Sequence, residues 1–529
     1  MATSSTMKKK KEKEEYWKRK ELVFLVLYAI AFYAFIIHRS LQLSLDHESE
    51  LYALRPGWLL PPRLNDVSDA QWRNFRANLP ILFLVFALFA LLANSLRALF
   101  SLKAKGMSFV WLLISLAYLS YLHGACVLFI LSIASLNFLL VKVRFLPMTF
   151  GFLVIHAMIY FGIARKKMMQ MIIIYLHRQS ISLLCFGFST YFFFFAIVFM
   201  KDIRSPFLGE LLILRMISFG YDYHWAHQDP PFDQQERSVL KEKFSFSIYL
   251  AYLVYAPVYI AGPIISFNAF VSQLDTPQNN YTVRDMSWYG LRWLFSFSLM
   301  ELMTHLFRYN AFAISRLWKL LSPMDIFIIG YGVLNFMWLK FSLIWRFFRF
   351  WSLICGIEAP ENMPRCINNC CNLESFWKNW HASYNKWLVR YMYIPLGGSQ
   401  RKLLNIWVIF TFVAIWHDLE WKLLSWAWLT CLFFIPEMVV KSAANTLQVE
   451  SAFGEFLFRE ISAAGGAITI TCLMVANLVG YVIGPSGINW LFSQFFSRQG
   501  LPVMGGMFIT FYVGTKLMFH IDDAKQRKH

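Results

Sequence analysis

Charged side chains are scarce in this chain. Asp, Glu, Lys and Arg make up only 15% of its 529 residues, whereas 58% of the residues are hydrophobic. A soluble protein of this length needs a polar surface that such a composition cannot supply. Because a bilayer tolerates only backbones that satisfy their own hydrogen bonds, and the apolar runs have helical length, we predict an all-α polytopic membrane protein.

Acidic residues are the scarcer of the charged types, with 31 Asp and Glu against 50 Lys and Arg. An excess of basic residues is typical of cytosolic loops that face anionic headgroups. The basic tail, residues 1–20, directly precedes an apolar run at residues 22–37, and no nucleic-acid-binding motif follows it. We therefore expect a membrane partner and no nucleic acid, with the tail in the cytosol and the first run acting as a retained signal anchor.

Paired cysteine spacing is also missing among the eight cysteines. Cys366, Cys370 and Cys371 form a local cluster, but the spacing C-x3-C-C lacks the second half that a zinc site needs. We predict neither a disulfide framework nor a metal site. The chain shows no internal repeat either, which weighs against a transporter built from inverted halves.

Apolar runs recur along the whole chain, and their lengths predict about eleven to thirteen membrane segments. Pro257 and Pro263 interrupt one run, which predicts a broken or re-entrant helix, because proline removes a backbone donor. Asn280 begins a glycosylation sequon that matters only if its loop is lumenal. The runs cover residues 22–37, 79–93, 107–122, 125–141, 145–164, 181–200, 244–270, 288–307, 326–345, 403–415, 422–440, 461–483 and 503–519.

Ionisable residues inside apolar segments are costly and therefore indicate function or pairing. Arg215 and Asp222 lie among aromatics in residues 207–227. Two interpretations stay open for them, a polar cavity and an interfacial ion pair between Arg215 and a carboxylate.

A histidine-bearing stretch at residues 374–400 has two faces when it is drawn as one helix from a Ser375 N-cap. Such a pattern is typical of an interfacial helix. Pro395 and the glycines after it end the helix. The aromatic face holds Trp377, Trp380, His381, Tyr384, Trp387, Leu388 and Tyr391, and the basic face holds Lys378, Lys386 and Arg390.

His417 follows a further apolar run and is flanked by Trp416 and Asp418. Desolvation lowers the pKa of an imidazole, so a buried neutral histidine can serve as a general base. A packing histidine and an ion-pathway histidine remain alternatives. With neither a serine elbow nor a cysteine nucleophile nearby, the pattern favours direct proton removal from an acceptor, without a covalent intermediate.

Five motifs resemble the membrane-bound O-acyltransferase family, in the branch of the glycerol uptake protein homologues and Hedgehog acyltransferase. The last two motifs are the most specific. They are RMISFGYDYHW at 215–225, YAPVYIAGPIISF at 255–267, WRFFRFWSLICGIEAPENMPRCINN at 345–369, FWKNWHASYNKWLVRYMYIPLGGS at 376–399 and IWHDLEWKLLSWAW at 415–428.

The resemblance implies an endoplasmic-reticulum enzyme with a tunnel through the membrane, which acyl-CoA enters from the cytosol as co-substrate, with no cofactor. It implies a catalytic core at residues 207–440, between N-terminal membrane helices at 21–206 and a C-terminal part at 441–529. His417 matches the family's catalytic histidine and His381 its second polar position. The remaining candidate substrate-binding residues are Lys378, Trp377, Trp380, Tyr384, Asn385, Lys386, Arg390 and Tyr391.

The expected reaction moves a long-chain acyl group from acyl-CoA to a hydroxyl, with remodelling of a lysolipid in glycosylphosphatidylinositol anchors as the best acceptor prediction. His381 in place of an acidic residue favours the glycerol uptake homologues over Hedgehog acyltransferase. A glycerol or polyol transporter and a protein acyltransferase of the Hedgehog type are the alternatives.

Overall fold

A computed structural model of the chain describes residues 2–59, 63–143, 207–227, 240–417, 420–446 and 451–526. These residues are helical almost throughout, which confirms the predicted all-α class. Within them, strands β1 (Leu54–Pro56) and β2 (Leu64–Asp66) pair as an antiparallel hairpin after the first helix. The hairpin carries Asp66, which caps the backbone N–H of Ala311.

The N-terminal helices are long and apolar. Asp69 begins α2 by accepting a hydrogen bond from the Trp72 N–H, and Ser101 ends it in a left-handed conformation. The helices are α1 (Ala2–Asp46), α2 (Ala70–Phe100), α3 (Ala104–His123) and α4 (Cys126–Lys142), with a 3-10 turn at Glu48–Glu50.

The central part alternates long helices with short ones. It comprises α5 (Phe207–Ala226), α6 (Phe246–Val254), α7 (Ala256–Tyr259), α8 (Phe267–Asp275), α9 (Val283–Leu306), α10 (Tyr309–Ser315), α11 (Pro323–Ile354), α12 (Leu373–Asn379) and α13 (Ala382–Leu388). A π-helix, Val389–Tyr393, follows α13 directly, and 3-10 turns lie at Lys241–Lys243, Leu317–Lys319, Ile367–Asn369 and Gly398–Arg401.

The C-terminal part comprises α14 (Lys402–His417), α15 (Trp421–Thr446), α16 (Ala452–Leu478), α17 (Ile488–Phe495) and α18 (Gly500–Gln526). A second π-helix, Val479–Ile483, extends α16, and a 3-10 turn at Pro485–Gly487 precedes α17.

Seven helices of the described residues are long and apolar enough to cross a membrane, which confirms a polytopic membrane protein. The predicted segments at 145–164 and 181–200 lie outside the described residues, so the total of about eleven to thirteen stays a prediction. The seven are Tyr16–Asp46, Ala70–Phe100, Ala104–His123, Pro323–Ile354, Trp421–Ala444, Phe453–Ile483 and Gly500–Gln526.

The break predicted at Pro257 is present, between α6 and α7. Arg215 supplies hydrogen bonds that are lost where the helix breaks between α6 and α7. Its guanidinium donates to the carbonyls of Leu253 at 2.7 Å and Val258 at 2.6 Å. No carboxylate of the described residues pairs with Arg215, so the interpretation as an ion pair is wrong. A buried arginine can replace the missing backbone donors because its planar fork carries five N–H groups.

An ion cluster joins the first helix to the last and marks one face of the protein. Lys516 on α18 pairs with Glu21 on α1, and at 2.6 Å with Glu460 on α16. The start of α1, the end of α18 and the start of α16 therefore lie at the same face. If the basic tail is cytosolic, as the positive-inside rule predicts, this face is cytosolic.

The loop with the sequon lies at this same face. Because α1 crosses the membrane and α2 crosses back, the α2–α3 loop lies on the same side of the membrane as Glu21. The Asp275 carboxylate accepts from the Ala104 N–H at 2.7 Å, and Gln278 donates its backbone N–H to the Gly356 carbonyl beside Arg97.

We expect Asn280 to carry no glycan, because oligosaccharide is added only in the lumen. Its side chain instead donates to Glu358 at 2.6 Å. Treatment with a glycosidase should leave the gel mobility of the wild-type protein unchanged.

Cysteine labelling in sealed microsomes provides the matched control. An impermeant maleimide should label Asn280→Cys more strongly than Glu50→Cys, which is equally exposed but lies beyond the opposite end of α1. The reverse labelling pattern, or a glycan on Asn280, would place this face in the lumen.

Candidate functional site

The histidine-bearing stretch is two short helices rather than the single helix predicted. Asn372, not Ser375, caps the first of them, since its side chain accepts from the Ser375 N–H at 2.7 Å. After α12, Trp380 is extended and His381 adopts a left-handed conformation with φ 48° and ψ 51°. The expectations of a Ser375 cap and an unbroken helix are therefore wrong.

Asn362 explains the break. Its backbone carbonyl accepts from the Ala382 N–H at 3.0 Å, and its side-chain oxygen accepts from the Ser383 N–H at 2.9 Å. These bonds satisfy the first free donors of α13, which would otherwise bond to α12. A left-handed residue other than glycine costs roughly 1–3 kcal/mol and occurs where surrounding structure enforces it, often at functional sites.

Removing the Asn362 side chain should destabilise this turn. In Asn362→Ala the Ser383 N–H loses its acceptor inside the protein, which costs about 1–3 kcal/mol. We expect a lower melting temperature for the purified protein. Asn368→Ala is the matched control, because Asn368 is exposed and its amide bonds only to the Asn335 side chain; equal destabilisation by both changes would contradict the role of Asn362.

His381 lies in an aromatic enclosure and is 7% exposed. Its ring stacks on Trp345, with centroids 4.4 Å apart and an interplanar angle of 11°. Tyr384 lies 5.2 Å away and Trp416 6.0 Å away, centroid to centroid. The aromatic surroundings predicted for His381 are confirmed.

His417 ends α14 beside the same indole, because its ring centroid lies 4.8 Å from that of Trp416 and 6.1 Å from that of Trp426. The two histidines thus share Trp416 as a neighbour. His417 itself is half-buried. We name the cluster of His381 and His417 with the rings of Trp345, Tyr384 and Trp416 the histidine chamber.

Within the described residues, no carboxylate forms an ion pair with either histidine. Asp418, adjacent to His417, lies outside the described residues. An imidazolium there would have no carboxylate partner among the residues that the structure describes, and two charged rings that share Trp416 as a neighbour would repel each other. The arrangement thus favours neutral imidazoles, each able to accept a proton.

The other aromatic candidates line or back the chamber. Tyr384 packs on Trp416 at 4.4 Å, and Trp377 contacts Trp426 at 5.5 Å, centroid to centroid. Trp380 stacks on Phe376 and is half-buried. Tyr391 is buried further along, against Trp387 at 5.4 Å, and Asn385 is half-buried on α13.

Only part of the predicted basic face is without an acidic partner among the described residues. Lys378 pairs with Glu374 at 2.7 Å, and Glu374 also accepts from Lys441 at 3.1 Å. The Lys378 ammonium and then Lys441 lower the pKa of the Glu374 carboxyl to about 2, so this carboxylate stays ionised and compensates Lys378. Lys386 is exposed and forms no ion pair with any described residue.

Arg390 does not lie on the basic face, which corrects the prediction. It turns inward, and its guanidinium donates to the fully buried Asp222 carboxylate at 2.9 Å. The same carboxylate accepts from the Tyr391 hydroxyl at 3.0 Å and the Asn268 N–H at 3.0 Å. Asp222 therefore joins α5, α8 and the first π-helix, and Arg390 supports the site structurally.

Sequence reasoning missed two exposed cations, Arg401 and Lys402, at the start of α14. Both residues follow the glycines that end the histidine-bearing stretch, and this position in the sequence could have identified them as candidates. Among the described residues, no group of three His, Cys, Asp or Glu side chains could hold a metal ion. Cys366 and Cys370 are linked only by a thiol-to-carbonyl contact of 3.8 Å.

Comparison with known proteins adds independent information. Residues 211–475 match the membrane-bound O-acyltransferase family. The chain is 32% identical to "Membrane-bound O-acyltransferase gup1" of Schizosaccharomyces pombe, over 88% of this chain and 82% of that protein. It is 30% identical to "Membrane-bound O-acyltransferase GUP1" of Saccharomyces cerevisiae, over 97% and 93%. The mouse "Protein-cysteine N-palmitoyltransferase HHAT" is 28% identical over 53% and 59%.

Proposed function

The chain belongs to the membrane-bound O-acyltransferase family and is a multi-pass acyltransferase, and from this premise we propose that it moves a long-chain acyl group from acyl-CoA to a lysolipid hydroxyl in the endoplasmic reticulum membrane. The observation that carries the proposal is the histidine chamber, where His381 and His417 share Trp416 within the family match. Remodelling of a glycosylphosphatidylinositol lipid is the proposed setting.

His417 acts as the general base. Its unprotonated ring nitrogen accepts the proton of the acceptor hydroxyl while that oxygen attacks the thioester carbonyl carbon. The carbon–sulfur bond then breaks, the CoA thiolate leaves, and the proton held by His417 passes to the sulfur. Accessible surface on His417 supports this role, because a base must reach the proton that it removes.

His381 positions the reacting groups. The left-handed turn and the stack on Trp345 fix its ring, and a fixed ring can hold the thioester or the hydroxyl at low entropic cost. Tyr384 and Trp377 complete the apolar wall against which an acyl chain would pack.

Exposed cations on the segment that joins the two histidines in sequence would bind the CoA phosphates. Lys386, Arg401 and Lys402 fit this role, because each is exposed and none pairs with a described carboxylate. Lys378 contributes less, since Glu374 compensates its charge. The backbone N–H groups of Leu373 and Glu374 donate to the Glu437 carboxylate, which joins α12 to the C-terminal half of α15. This half of α15 precedes the start of α16 at the predicted cytosolic face, so the contacts support donor entry from the cytosol.

A hydroxyl acceptor is favoured over a protein amine. The relatives named as O-acyltransferases match over 82% and 93% of their lengths. The relative named as a protein-cysteine N-palmitoyltransferase matches over 59%. The family assignment itself favours an enzyme over a polyol transporter.

The test uses purified full-length protein in lipid nanodiscs with radiolabelled palmitoyl-CoA. We expect label in the extracted lipid when lysophosphatidylinositol is added. Label on a peptide instead would support protein acylation. Absence of acyl transfer, together with glycerol uptake in reconstituted vesicles, would support the transporter and contradict the proposal.

A further inference from the structure

Tyr481 lies near the histidine chamber and keeps an accessible surface. The residue is 38% exposed, so protein does not fully enclose its ring. A ligand that approaches His417 along this side would meet Tyr481.

One indole links Tyr481 to the histidine chamber. The ring centroid of Tyr481 lies 5.7 Å from that of Trp426, and Trp426 lies 6.1 Å from His417. Both contacts are edge-to-face. Trp426 is held in place by a hydrogen bond from its N–H to the Asn477 side chain at 3.2 Å.

The local backbone explains why Tyr481 packs against Trp426. It lies in the π-helix Val479–Ile483, and a π-helical turn shifts the side-chain register of an otherwise regular helix. Gly480 permits this close packing, because a Cβ there would lie 2.9 Å from the Trp426 side chain. Among the described residues, none hydrogen-bonds to the Tyr481 hydroxyl, so the group is available to a ligand.

We propose that the Tyr481 hydroxyl hydrogen-bonds the lysolipid acceptor beside His417 and so contributes to acceptor recognition. This inference rests on the proposed acyl transfer to a lysolipid. The hydroxyl can donate to, or accept from, a polar group next to the reacting oxygen.

Position favours the acceptor over the donor. Asn477, which orients the shared indole, lies about 26 Å along the helical rise from Glu460, and Glu460 belongs to the ion cluster at the predicted cytosolic face. The phosphates of CoA are expected at that face, because acyl-CoA enters from the cytosol in the proposed function. Tyr481 follows Asn477 in the same continuous helical segment and therefore lies toward the other face.

Tyr481→Phe tests the inference, because it removes the hydroxyl and keeps the ring packing on Trp426. We expect the KM for lysophosphatidylinositol to rise by about threefold to tenfold, as for the loss of one neutral hydrogen bond. The KM for palmitoyl-CoA should stay unchanged. Tyr33→Phe is the matched control, since the Tyr33 hydroxyl bonds to Tyr331 on a distant helix pair.

The outcomes separate this inference from the proposed function. An active wild-type enzyme with an unchanged acceptor KM in Tyr481→Phe would overturn the inference and leave the proposed function standing. A rise in the KM for palmitoyl-CoA alone would also overturn it. If the wild-type protein transfers no acyl group to lysophosphatidylinositol, the proposed function fails and the inference fails with it. Equal melting temperatures of the variant and wild type would confirm that folding is not the cause.

Discussion

Replacing His417 with glutamine is expected to lower kcat for acyl transfer by about 10²–10⁴-fold, the usual contribution of a general base. Glutamine approximates the size of the imidazole and can still form hydrogen bonds, but it cannot accept the acceptor's proton at neutral pH. The rate of label transfer from palmitoyl-CoA to lysophosphatidylinositol measures the effect. Binding of the donor should change little, since the lost interaction belongs to the transition state.

His227→Gln is the matched control for this prediction. His227 follows α5, stacks on Tyr223 at 4.1 Å and bonds to the Tyr223 carbonyl at 2.8 Å. That variant should retain wild-type kcat. A His417→Gln enzyme with wild-type kcat would exclude proton transfer through His417, and a large loss in His227→Gln would show that the assay responds to general damage.

Arg390→Met is expected to destabilise the fold by about 3–5 kcal/mol, because it removes the guanidinium that lies 2.9 Å from the buried Asp222 carboxylate. Asp222 is fully buried and Arg390 is 12% exposed, so water cannot replace the lost partner. Thermal unfolding in detergent, followed by size-exclusion chromatography, measures the loss.

Two further variants sharpen this prediction. Lys378→Met breaks an exposed pair with Glu374 and should cost at most about 1 kcal/mol. Adding Asp222→Leu to Arg390→Met should recover part of the stability, because an apolar pair avoids the unpaired charge. If Arg390→Met and Lys378→Met melt alike, the buried pair contributes no more than the exposed one.

The apolar segments could be predicted from the sequence, because crossing a bilayer imposes length and composition on each helix separately. The break at Pro257 was predictable for the same local reason, since proline removes a donor wherever it lies. The contact of His381 with Tyr384 could be predicted from their spacing in the histidine-bearing stretch, whereas Trp345 and Trp416 reach the ring from other helices.

Features that depend on distant partners could not be predicted. No glycine or proline marks the turn at His381; Asn362 enforces it from outside the helix. Arg390 looked like a free surface cation because its partner, Asp222, lies 168 positions earlier in the chain. Tyr481 lies inside an apolar run, and its contact with Trp426 depends on how the π-helix packs against α15.

The ion cluster of Glu21, Lys516 and Glu460 has a consequence for biosynthesis. Helix α1 enters the membrane long before α18 is translated, so Glu21 and Glu460 lack Lys516, their shared ion-pair partner, until the last helix is made. In a nascent chain truncated before Lys516, the two carboxylates would be partly buried without that partner, which is unfavourable. Synthesis of the last helix thus supplies the cation that links α1 to α16.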